Sequence, residues 1–134
     1  MIKFNKVLLV DDDEVSNFIN TQVLSDVNLA DEIMIAMNGQ EALDMLNQCA
    51  RKHASQATTC CPDLIFLDLN MPVMNGFEFL QACEYCRKKK ISIVILTSSS
   101  NQKDVETAHQ FPQVKCYLNK PLTADKVQKA LLQI

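Results

Sequence analysis

Glycine is scarce in this chain, with two residues in 134, Gly39 and Gly76. Neither a G-x-G-x-x-G turn nor a Walker A loop can be written from them, which excludes the glycine-cradled nucleotide sites. A basic excess is lacking too: thirteen Lys and Arg stand against sixteen Asp and Glu, a formal net charge of −3. Direct nucleic-acid binding usually needs the opposite balance. Nowhere does an apolar run approach the ~20 residues of a membrane span. The run Val7–Val10 stops at three aspartates and is too short for the apolar core of a signal peptide. These absences imply a cytoplasmic chain without membrane contact. What is present suits one folded domain: 48% hydrophobic and 22% charged residues, in a length that buries roughly two thirds of its unfolded surface without disulfides. The six cysteines read as small apolar residues. Cys83-Glu-Tyr-Cys86 is a lone C-x-x-C inside a helical pattern, a weak signal for zinc.

Five apolar runs of strand length alternate with helical spacing: Val7–Val10, Ile33–Met37, Leu64–Leu67, Ile91–Leu96 and Val114–Leu118. Runs this continuous imply burial on both faces, as in a parallel sheet covered by helices. Between them, Val15, Phe18, Ile19, Val23 and Val27 form one helical stripe. Ala42, Met45, Leu46, Cys49 and Ala50 form a second, and Phe79, Leu80, Cys83 and Cys86 a third. Asn38-Gly-Gln-Glu41 and Asn75-Gly-Phe-Glu78 carry the signature of a helix start with a reciprocal cap. A short helix is expected at about 101–109 and a last one from Thr123 to the C-terminus. The pattern is (βα)5, a doubly wound parallel α/β sheet with right-handed crossovers. Arg51–Cys61 reads as a helix extension followed by a surface loop.

In open α/β sheets, ligands bind beyond the carboxyl ends of the strands. The first strand ends in Asp11, Asp12 and Asp13, and the third in Asp68. The fourth ends in Thr97 and Ser98, and the fifth in Asn119, Lys120 and Pro121. Carboxylates collected on one edge repel unless one is protonated or a cation joins them. Oxygen ligands without His or Cys suit a hard ion, and Mg²⁺ fits best. Lys120 and Thr97 then complete a set aimed at phosphoryl oxygens. A cis bond before Pro121 would turn the chain tightly and set the lysine's direction. Asp68 is the candidate nucleophile, since a carboxylate can accept a phosphoryl group as an acyl phosphate.

Val10-Asp11-Asp12-Asp13, Leu67-Asp68-Leu69-Asn70-Met71-Pro72-Val73-Met74-Asn75-Gly76, Leu96-Thr97-Ser98 and Asn119-Lys120-Pro121 resemble the motifs of response-regulator receiver domains. These are the CheY-like phosphoacceptors of two-component signalling. The resemblance spans roughly residues 5–133, in the family's order. It implies a flavodoxin-like sheet of order 2-1-3-4-5; the length leaves room for a single receiver domain over 1–134 and no output domain, as in a single-domain regulator, a phosphorelay intermediate or a receiver cut from a longer protein. It further implies Asp68 as phosphoacceptor, and Mg²⁺ held by Asp12 directly, by Asp11 mostly through water, by Asp68 and by the Asn70 backbone carbonyl. Thr97 would donate its hydroxyl to the phosphoryl group, with the Ser98 backbone N–H beside it. Lys120 would bind phosphoryl oxygens and Asp68, and Tyr117 matches the family's switch aromatic. Asp13 is not carried over as a ligand and reads as a helix-start acid. Leu122, where Phe is frequent, and the long Arg51–Cys61 segment depart from the common pattern without removing a chemical group.

The implied donor is a sensor histidine kinase or a histidine phosphotransfer protein. Output would pass to an unidentified protein, through a monomer or a weak phosphorylation-dependent dimer. Such a chain promotes only its own phosphorylation and dephosphorylation, so it is not expected to be an enzyme. One rival is a pseudo-receiver, a binding module with the fold and no phosphotransfer. Another is an aspartyl phosphatase of the haloacid-dehalogenase class, which needs an acid two residues after the nucleophile; Asn70 stands there and cannot titrate.

Overall fold

The computed structural model describes residues 4–55, 61–98 and 101–134, and within them the five apolar runs are five parallel strands. They are β1 (Phe4–Val10), β2 (Ala30–Ala36), β3 (Leu64–Leu67), β4 (Ser92–Thr97) and β5 (Val114–Asn119). The sheet order is β2-β1-β3-β4-β5, as the resemblance implies. Helices α1 (Glu14–Asp26), α2 (Gly39–Ser55), α3 (Gly76–Ala82), α4 (Glu84–Lys88), α5 (Gln102–His109) and α6 (Ala124–Leu131) make the crossovers and the end. No helix among the described residues is long and apolar enough to cross a membrane.

Alternation along the strands divides the core in two. Leu8, Val10, Ile65, Leu67, Ile93 and Ile95 face α2, α3 and α4. Val7, Leu9, Leu64, Phe66, Val94 and Leu96 face the other way, onto Leu24 of α1 and Val127 of α6. Burial on both faces is why the central strands read as unbroken apolar runs. β2 is an edge strand, and there the pattern is diluted: Asp31 and Glu32 are exposed, and the strand starts at Ala30 rather than Ile33. β1 likewise begins before its apolar run, because Phe4 and Lys6 pair in register with Ala30 and Glu32.

Three helical expectations need correction. Of the expected stripe, Val23 and Val27 pack against the core, but Val15, Phe18 and Ile19 do not: they are 65%, 73% and 42% exposed, while Asn17, Asn20 and Leu24 are buried. The turn into α1 sets this rotation. Asp13 caps the helix by accepting from the Val15 N–H, and the Asn17 carboxamide donates to the Asp11 carbonyl at 2.9 Å. The third helix is broken at Cys83, whose φ −85° and ψ 89° are not helical, so two short helices stand where one was expected. The last helix stops at Leu131, short of the C-terminus. Of the two expected reciprocal caps, both halves are seen at Asn75 and the asparagine half at Asn38. Asn75 and Glu78 form a reciprocal capping box at 2.9 and 3.0 Å, and Asn38 accepts from the Glu41 N–H at 2.8 Å. α2 extends through Arg51 to Ser55; residues 56–60 of the expected loop lie outside the described residues.

Candidate functional site

Parallel pairing brings the carboxyl ends of β1, β3, β4 and β5 to one edge, and with them Asp11, Asp68, Thr97 and Lys120. The Asp68 N–H donates to the Val10 carbonyl at 2.9 Å, which sets the third-strand acid beside the first-strand acids. The Lys120 N–H donates to the Thr97 carbonyl at 2.9 Å, which ties the fifth-strand end to the fourth. Asp11, Asp12 and Asp68 each present a carboxylate oxygen, all within 4.8 Å of one another. Asp11 and Asp68 are buried, at 4% and 5% exposure, whereas Asp12 faces solvent.

Lys120 reaches into this cluster, its Nζ 2.6 Å from Asp11 Oδ2 and 3.3 Å from Asp68 Oδ2. Three carboxylates against one ammonium formally leave two negative charges, which a divalent cation can balance. Burial pushes the Asp11 carboxyl above its ordinary value, outweighing the hydrogen bond from Lys120 that pulls it down. Burial also pulls the Lys120 ammonium down, but Asp11 and Asp68 together outweigh it and hold the group above its ordinary value. The donor set is oxygen only, which fits a hard ion such as Mg²⁺.

Neighbouring residues shape the edge. Asn70 is exposed, and its N–H donates to Asp68 Oδ1 at 3.4 Å. Thr97 is fully buried and Ser98 exposed. The Lys120–Pro121 bond is cis. Tyr117 is half-buried on β5, level with Ile95, and lines a groove with Val105 and His109 of α5 and Lys129 of α6. It therefore sits away from the acids, on the α5–β5–α6 side.

Several supporting residues were not legible as such. Lys126 of α6 donates to the Asn119 and Pro121 carbonyls at 2.7 and 2.9 Å, clamping both sides of Lys120. Asn20 joins Asp11 and Asp68 around a small recess. Two asparagines three apart in α1 were the available signal. Both glycines lie at close approaches: a Cβ on Gly76 would stand 2.6 Å from the Asp68 carbonyl oxygen, and one on Gly39 2.6 Å from the Met74 oxygen. Val73 has φ 68°, and the Met74 N–H donates to the Pro72 carbonyl at 2.7 Å across it. That tight turn is one a β-branched residue adopts only under strain.

The chain is similar to known proteins. Residues 7–132 match the family described as the response regulator receiver domain. Response regulator Rcp1 of Synechocystis is 33% identical over 115 residues, covering 85% of this chain and 75% of that protein. The nitrate/nitrite response regulator protein NarL of Escherichia coli is 33% identical over 132 residues; the match takes in 95% of this chain and 53%, about half, of that relative. The crystal structure of a two component response regulator from Cytophaga hutchinsonii superposes with a TM-score of 0.82 at 31% identity, covering 97% of this chain and 96% of that one.

Proposed function

The chain belongs to the response-regulator receiver family, and on that premise we propose that it is a phosphoacceptor in which Asp68 takes a phosphoryl group from a phosphohistidine. The donor is a sensor histidine kinase or a histidine phosphotransfer protein. Receiver domains are in general non-enzymatic signalling modules with a Mg²⁺-binding acidic pocket, and response regulators in general work between histidine kinases and output partners. The observation that carries the reading for this chain is the juxtaposition of Asp68 with Lys120 at 3.3 Å and with the oxygens of Asp11 and Asp12 within 4.8 Å.

Asp11, Asp12, Asp68 and the Asn70 carbonyl would hold Mg²⁺, which supplies positive charge against the carboxylates and the incoming phosphoryl oxygens. An Asp68 carboxylate oxygen attacks phosphorus, the P–N bond of the donor breaks, and the imidazole leaves as the acyl phosphate forms. Lys120 stabilises the equatorial oxygens through the transfer. The product adds roughly 1.5–2 negative charges by analogy with other phosphorylated side chains. The Thr97 hydroxyl and Ser98 N–H turn toward them, and Tyr117 moves into the space Thr97 vacates. The α5–β5–α6 face then presents a different surface to the output partner.

Intact mass after incubation with Mg²⁺ and acetyl phosphate or phosphoramidate tests the assignment. A phosphoryl adduct on wild type and none on Asp68→Asn is the expected result. No adduct on either folded protein overturns it and leaves a pseudo-receiver.

A further inference from the structure

Outside the acidic edge, one pair of reactive side chains is brought together by a break that the helical pattern does not announce. Cys83 is the α3–α4 junction and Cys86 lies in the first turn of α4, both in the core layer beneath the sheet. Their sulfurs stand 2.6 Å apart, inside ordinary non-bonded contact. An S–S bond measures ~2.03–2.05 Å, so closing one needs only a small further approach. The Cys83 thiol donates to the Cys86 sulfur, and the Cys83 sulfur accepts from the Cys86 backbone N–H at 3.3 Å.

We propose that Cys83 and Cys86 form a redox modification site, in which a two-electron oxidant of the peroxide class converts the two thiols to an intrachain disulfide. Cys83 is the thiol attacked first and Cys86 the one that resolves it. The Cys83 sulfur attacks hydrogen peroxide, the O–O bond breaks, and one water leaves a sulfenic acid on Cys83. The Cys86 sulfur then displaces the hydroxyl, forming the S–S bond and releasing a second water. The thiols lose two electrons and two protons, and the peroxide gains both.

The order follows from the surroundings. Hydrogen bonding with the Cys86 side chain and from its backbone N–H holds the Cys83 thiol below its ordinary value despite burial, with Arg87 adding to the effect. The same contact, with burial, pushes the Cys86 thiol up. Both side chains are buried, at 1% and 0% exposure, so only a small oxidant can reach them. Access needs a local opening, and α4 is a five-residue helix followed by exposed Lys89 and Lys90. This site is independent of the phosphoacceptor reading.

The test is hydrogen peroxide treatment of the native full chain, followed by unfolding, alkylation and peptide mapping. Wild type is expected to lose two hydrogens, reversibly with a dithiol reductant, and the peptide carrying Cys83 and Cys86 to lose alkylation before Cys61, which is more exposed. Cys86→Ser is expected to stop at a Cys83 sulfenic acid trapped by dimedone, and Cys83→Ser to give no linkage. Full alkylation of both thiols after treatment, or oxidation of Cys61 ahead of the pair, overturns the proposal. If either variant misfolds, the wild-type map decides alone.

Discussion

The Lys120 ammonium stands 2.6 Å from the Asp11 carboxylate, closer than the 3.3 Å that separates it from Asp68. The buried first-strand acid is thus the lysine's nearer partner. Lys120→Ala strands that carboxylate. A fully buried pair broken this way loses ~3–5 kcal/mol. The lysine side chain keeps 20% exposure, so a loss of about 2 kcal/mol is expected in chelator. Mg²⁺ should restore part of it by replacing the missing charge. Urea midpoints with EDTA and with Mg²⁺ measure both effects; a variant as stable as wild type in EDTA contradicts this pairing.

Thr97 is completely buried while Tyr117 lies on the α5–β5–α6 side. If the threonine hydroxyl couples the two, Thr97→Ala still acquires the phosphoryl group but no longer moves Tyr117. Phosphodonor-induced changes in tyrosine fluorescence are expected in wild type and absent in the variant. A full response in Thr97→Ala sinks the coupling scheme.

Val73 sits at φ 68° on an exposed turn. A three-residue turn at positive φ costs a β-branched residue ~1–3 kcal/mol, and glycine escapes it for about 0.5–1 kcal/mol of chain entropy. Val73→Gly should therefore raise stability by about 1 kcal/mol. An unchanged or lower urea midpoint would argue against strain at this turn.

The rotation of α1 makes two substitutions diverge. Phe18→Ser, at a side chain 73% exposed, should change stability by no more than ~0.5 kcal/mol. Leu24→Ala, at a fully buried one, should cost about 2–5 kcal/mol. Equal losses would mean that the stripe read from periodicity faces the core after all.

Asp13 accepts from the Ser16 hydroxyl and the Val15 N–H, which hold its carboxyl below the ordinary 3.8. A lowered native value means the unfolded chain binds the proton more tightly. The stability it contributes is therefore present above pH 3.8 and is lost as pH falls through the lower native value. Asp13→Asn keeps a capping side chain and loses the titration. Its stability should fall less steeply with acid than wild type's in urea titrations. Parallel acid profiles would show that Asp13 does not contribute to the slope.

Much of this molecule is written locally. Strands buried on both faces must be apolar throughout, so β1, β3 and β4 stood out, and the residues that end them mark the edge where chemistry collects. The caps at Asn38, Asn75 and Thr123 involve partners within a few residues and were or could be read from spacing. Tertiary structure decided what depends on distant partners. The first half of α1 turns Asn17 inward, to meet the Asp11 carbonyl, in place of Val15, Phe18 and Ile19. The break at Cys83, between two helices that both pack against α2, is not marked in the apolar spacing. The preference of Lys120 for Asp11 comes from a reach across two strands that no spacing in the chain encodes. Periodicity reports which residues share a surface, but the surface that is buried depends on polar groups finding partners across the fold.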